Sequence, residues 1–134
     1  MYIKGQVIQS DYLLIDQEKI NSFAEVLADK NPLHIDEEFA RSRGFATTIA
    51  HGRLTLSYMT DFLTRTFGKE WLESGVLDVK FTAPVLSGEM VKAYIEIENT
   101  NNPLNFLLYC KKQDDVTVIK GKGRVTNNFT DQKG

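Results

Sequence analysis

Both histidines of the chain, His34 and His51, fall in one window that also holds Asp29, Asn31 and Asp36. In the run Ala28-Asp29-Lys30-Asn31-Pro32-Leu33-His34 an aspartate and a histidine flank an Asn-Pro pair. Proline disfavours helical geometry in the residue before it, so the turn is stiff and the two side chains can converge on one point. A carboxylate and an imidazole held that way can bind one water and divide its protons, the arrangement that general acid–base chemistry requires. The same residues also allow a plainer reading, because Asp, Asn and Pro are ordinary turn formers: Asp29 would cap the next turn and His34 would bond to backbone.

The second feature is Ala50-His51-Gly52 at the start of a long helical pattern. Glycine lets a ligand approach the backbone closely. The first N–H groups of a helix have no internal partner and lie at the positive end of its dipole. A carbonyl oxygen that becomes negative during a reaction would be stabilised there. The alternative is a small-residue cap with His51 satisfying a buried carbonyl. A metal site built from His34, Asp36, Glu37 and Glu38 is disfavoured, since these neighbours do not converge as the three or four ligands of a zinc ion must. No metal and no cofactor is expected.

The elements that must position these groups follow from hydrophobic spacing. Tyr2 to Ile8 alternates like a strand, and Tyr12-Leu13-Leu14-Ile15 suits a second. From Asp16 as N-cap, Ile20, Phe23, Ala24 and Leu27 take the spacing of an amphipathic helix that Asn31-Pro32 ends. A short helix capped by Asp36 follows, with Glu37 and Glu38 complementing its dipole. Gly52 to Phe67 reads as a mostly enclosed helix whose one polar stripe is Ser57, Thr60, Asp61 and Thr64. After a Lys69–Gly75 connection the period changes to two: Leu77 to Phe81, Val91 to Ile97, Leu104 to Cys110 and Thr117 to Val125 form four strands in a meander. The expected class is α+β, one antiparallel sheet wrapped around a long central helix.

Composition narrows the function classes. The chain has 134 residues, 42% apolar and 25% charged, which fits a single soluble domain spanning 1–134. A net charge of −2 gives no footprint for nucleic acid. No apolar run reaches the ~20 residues of a membrane span. One cysteine, Cys110, and a start without a signal-peptide pattern point to the cytoplasm. A small wrapped sheet leaves an edge that another copy commonly covers, so a homodimer or higher homo-oligomer is expected.

Together, Asp29-Lys30-Asn31-Pro32-Leu33-His34, then Asp36, Phe39-Ala40, and Ala50-His51-Gly52 with Leu54 and Ser57 resemble the hydratase motif of MaoC-like R-specific enoyl-CoA hydratases. Phe81-Thr82-Ala83-Pro84-Val85 followed by Gly88-Glu89 is similar to that family's strand-turn-strand. The resemblance runs from about Asp16 to Val125 and implies a hot-dog fold. It also implies reversible addition of water across a trans-2-enoyl thioester, on CoA or an acyl carrier protein. Asp29 and His34 would then be base and acid in an order the sequence leaves open. The Gly52 N–H would face the enolate-like oxygen, Asn31 would hold the loop or the water, and His51 would position the Gly52 turn. Ala28, Lys30, Arg53 and Thr60 depart from the usual family residues. Arg53 has three readings: a contact to a CoA phosphate, a contact to a carboxylated acyl group, or plain solvation. Side chains such as Phe62, Leu63, Val79 and Phe81 would wall the acyl pocket. Two rival activities fit one fold: thioester hydrolysis, and acyl-thioester binding by a non-catalytic dimer.

Overall fold

The computed structural model describes residues 1–129. The N-terminal strand is shorter than the alternation suggests. Gly5, at φ +88°, turns the chain, so only β1 (Val7–Gln9) pairs as a strand, with β2 (Leu13–Ile15) close behind. Next come α1 (Gln17–Leu27), a one-turn helix α2 (Pro32–Ile35), α3 (Glu37–Ser42) and the long helix α4 (Gly52–Phe67). The expected Lys69–Gly75 connection contains a further short helix, α5 (Lys69–Ser74). Four strands follow: β3 (Val76–Phe81), β4 (Glu89–Asn99), β5 (Leu104–Lys112) and β6 (Thr117–Val125).

All strand pairs are antiparallel, in the order β1-β4-β5-β6-β3, with β2 also pairing with β4. The expected four-strand meander therefore holds for β4, β5 and β6 only. β3 crosses to the far side, where Val76 to Phe81 pair with Arg124 to Ile119. Periodicity reports which face a residue takes and carries no information about the neighbouring strand, which is why this order was not legible.

One face of the sheet supplies the core. Val91, Ala93, Ile95 and Ile97 of β4 and Leu104, Phe106, Leu108 and Cys110 of β5 alternate into it. Leu54, Met59, Phe62, Leu63 and Phe67 of α4 pack against them. Each large side chain so buried contributes roughly 1.5–3 kcal/mol, which holds α4 along the sheet and fixes where its first turn lies. Among the described residues no helix is long and apolar enough to cross a membrane.

Helix α1 starts as expected, with the Asp16 carboxylate accepting from Lys19 N at 3.0 Å. Its end differs. Asn31-Pro32 does not terminate it; Ala28 does, in the left-handed region at φ 54°. The Ala28 and Asp29 N–H groups turn back to the last carbonyls, Asp29 N reaching Ala24 O at 3.0 Å. Pro32 instead opens α2, where its missing N–H and fixed φ are suited to a first helical position.

An alanine in the left-handed region carries a steric cost that glycine avoids. Ala28→Gly should therefore stabilise the fold by about 0.5–1 kcal/mol, read as a melting temperature higher by a few degrees; a lower one would contradict this account of the helix end. Burial also pushes the Cys110 thiol up to about 12. At pH 8 the folded protein should release no chromophore from a disulfide thiol reagent, whereas the unfolded chain should release one equivalent.

Candidate active site

The strap between α3 and α4 joins the site to the sheet. Ile49 N donates to Leu33 O at 3.0 Å, and Ala50 N to Val85 O at 2.8 Å. Gln17, the first residue of α1, donates through Nε2 to His34 O at 2.8 Å and accepts from the Thr48 hydroxyl. Sequence reading missed Gln17 because its partners are remote along the chain and its type carries no site signature. Asn31 Oδ1 caps α2 by accepting from Leu33 N at 3.0 Å.

The two imidazoles stack, with ring centroids 3.7 Å apart and planes 22° from parallel. His34 Nδ1 lies 2.8 Å from Ile49 O, and His51 Nε2 lies 3.0 Å from Asp29 O. A carbonyl can only accept, so each of those nitrogens carries the hydrogen. The other nitrogen of a neutral ring is then an unprotonated acceptor, which for His34 is Nε2. His51 is 3% exposed, and its Nδ1 is buried without a protein partner. Phe23 meets the His51 ring edge-on at 5.2 Å.

Asp29 is exposed, yet its backbone is fixed at both ends, by Ala24 O on its N–H and by the His51 ring on its carbonyl. Its carboxylate oxygen and ring nitrogens of His34 and His51 lie within 4.8 Å of one another. One water hydrogen-bonding to two groups at ~2.8 Å each spans such a gap. The plainer reading of the sequence is present too: His34 does bond to backbone, and Asp29 Oδ1 accepts a long 3.4 Å bond from Asn31 N. Neither contact uses the second His34 nitrogen.

The three ligand-type residues do not form a good metal cradle. Stacked rings direct their in-plane lone pairs in near-parallel planes, whereas a zinc ion needs them to meet about 2.0–2.1 Å away. Asp36 is occupied as the cap of α3, accepting from Phe39 N at 3.1 Å, and Glu37 pairs with Arg41 at 2.9 Å.

Helix α4 has no side-chain cap, and no acidic residue stands in its first turn. Among the described residues the Gly52 N–H has no hydrogen-bond partner, at the positive end of a sixteen-residue helix. A Cβ on Gly52 would lie 2.9 Å from Phe81 Cε1, so only glycine lets that ring cover the turn. Ala50, Gly52, Arg53, Thr55 and Phe81 line a cleft of about 580 Å³. Of the expected acyl-pocket walls, Phe81 lines this cleft; Phe62 faces a separate hollow beside β2, Val79 is half-buried on β3 and Leu63 is fully buried in the core.

Comparison with known proteins agrees with this architecture. The sequence profile of the MaoC like domain matches residues 2–117. The (R)-specific enoyl-CoA hydratase of Rhodospirillum rubrum is 33% identical over 118 residues, covering 83% of this chain and 78% of that protein. The 3-hydroxyacyl-thioester dehydratase Z of Mycobacterium tuberculosis is 37% identical over 92 residues, or 66% of this chain, which spans only 61% of that relative's length. Among solved structures, the (R)-hydratase from A. caviae involved in PHA biosynthesis superposes with a TM-score of 0.79 at 23% identity, covering 93% of this chain and 96% of that one. That likeness gives the fold, an antiparallel hot-dog sheet with a helix packed against it, as the sequence suggested. On the profile match across most of its length, the chain belongs to the MaoC-like domain family.

Proposed function

We propose that the protein is a hydro-lyase that adds water reversibly across a trans-2-enoyl thioester, giving the (R)-3-hydroxyacyl thioester. The observation that carries this reading is the approach of the Asp29 carboxylate and the His34 ring to a gap that one water spans, while His51, stacked on His34, directly precedes the helix N–H of Gly52. Both groups are acceptors when Asp29 is ionised and His34 neutral. A water donating one hydrogen to each is left with an oxygen lone pair for Cβ. As that bond forms, the proton leaving water passes to one member of the pair and on to Cα. The thioester oxygen carries the intervening negative charge against the Gly52 N–H. The order of proton transfer is a property of the coupled pair.

Relatives named as hydratases and dehydratases support this reading. Thioester hydrolysis needs no proton on carbon, whereas a pair that can pass the water proton on to Cα suits hydration. β3 offers its outer side to a second copy, since among the described residues it pairs only with β6, and a cytoplasmic homodimer is part of the proposal.

Asp29→Asn and His34→Ala should each lower kcat on a short trans-2-enoyl thioester by about 10²–10⁴ while leaving the circular dichroism spectrum and the oligomer size unchanged. Near-parental rates in either would remove that residue from the chemistry. His51→Gln loses the stacked ring but can still donate to Asp29 O. It should destabilise the fold by about 1–3 kcal/mol and reduce kcat/KM far less than His34→Ala does. Equal loss in a folded His51→Gln protein would mean that His51 handles a proton itself.

A further inference from the structure

Arg53 stands at the second position of α4, where a cation opposes the helix dipole, and no acid in that turn offsets it. Its exposed guanidinium makes no ion pair or hydrogen bond among the described residues. It lines the same cleft as Gly52, and no acidic side chain lines that cleft.

A second group in the cleft also lacks a partner. Ser57, Thr60, Thr64 and Thr66 each return their hydroxyl to a carbonyl one turn back in α4. Thr55 does not: the His51 carbonyl already accepts from Leu54 N and Thr55 N. Among the described residues the Thr55 hydroxyl is buried and unbonded, in a residue 2% exposed that stands between this cleft and the hollow beside β2 and lines both. A buried polar group with no partner costs about 1–3 kcal/mol, so a ligand atom that pairs with it has affinity to gain.

The cleft thus presents hydrogen-bond donors and a positive charge between apolar walls such as Ala50, Val85 and Ile119, a setting matched by an acceptor-rich anion on a short carbon chain. We propose that Arg53 and Thr55 make this site selective for an enoyl thioester whose acyl group bears a second carboxylate. Arg53 holds the carboxylate at the mouth and the Thr55 hydroxyl serves the acyl group deeper in. The phosphates of a pantetheine carrier lie at the far end of its long arm from the thioester carbonyl. A guanidinium one residue from the proposed carbonyl donor, lining the same cleft as that donor, meets the acyl group first.

This proposal rests on the hydro-lyase reading, and its test separates the two. Thioesters of N-acetylcysteamine, which has no phosphate, would be compared as a pair of equal carbon-chain length, trans-2-butenoyl and trans-3-carboxypropenoyl, in which the terminal methyl is replaced by a carboxylate. The parent should favour the carboxylated substrate in kcat/KM, and Arg53→Met should cut that preference by about ten- to a hundredfold. Thr55→Val, of similar shape, should raise KM more than it lowers kcat. An unchanged preference in Arg53→Met would overturn the proposal, as would an equal loss on both substrates. If neither is hydrated, the hydro-lyase reading fails while binding still decides this one. Calorimetry with the saturated butanoyl and 3-carboxypropanoyl thioesters should show the carboxylated one bound more tightly by the parent and not by Arg53→Met; equal binding by the parent would overturn it.

Discussion

The site depends on two imidazole N–H groups, each held by a backbone carbonyl, and on the stacking of the rings between them. His51 fixes the carbonyl of Asp29 while its face lies against His34, so one buried ring places both groups proposed to react. Each such hydrogen bond contributes about 0.5–1.5 kcal/mol, and the geometry it sets matters more than the energy. A reacting atom displaced by about an ångström forfeits much of what positioning supplies. The exposed Asp29 carboxylate can therefore be accurate without being buried, because its backbone is tied on both sides.

The rest of the fold serves that arrangement at a distance. The buried face of β4 and β5 holds α4, which places the Gly52 N–H; the Ile49–Ala50 strap ties α2 to the strand turn at Val85; Gln17 links α1 to His34 and Thr48. Phe81, at the end of an edge strand, reaches over Gly52. The cleft is formed where these separate chain segments meet, so its polar groups are read from the assembled structure.

Much of this was legible in the sequence. The Gly52–Phe67 helix has the bounds its pattern suggested, since a wide apolar arc ended by Gly68 leaves little choice. The run from Asp29 to His34 and the Ala50-His51-Gly52 turn announced themselves by residue type, and the fold brings them together. What the sequence did not show was long-range or geometric: the pairing of β3 with β6, the end of α1 at Ala28, the stack between His34 and His51, and the tautomers that two carbonyls impose. Alternation and spacing describe faces and local turns, and these features depend on which remote groups meet.

In the proposed reaction Asp29 and His34 direct water to Cβ and a proton to Cα. The most direct measurement is to incubate the protein with a trans-2-enoyl thioester in deuterium oxide and examine the products by mass spectrometry and NMR. The expected product is an intact thioester with a hydroxyl on Cβ in the R configuration and one carbon-bound deuterium at Cα. A free thiol with the enoyl double bond retained in the released acid would contradict it.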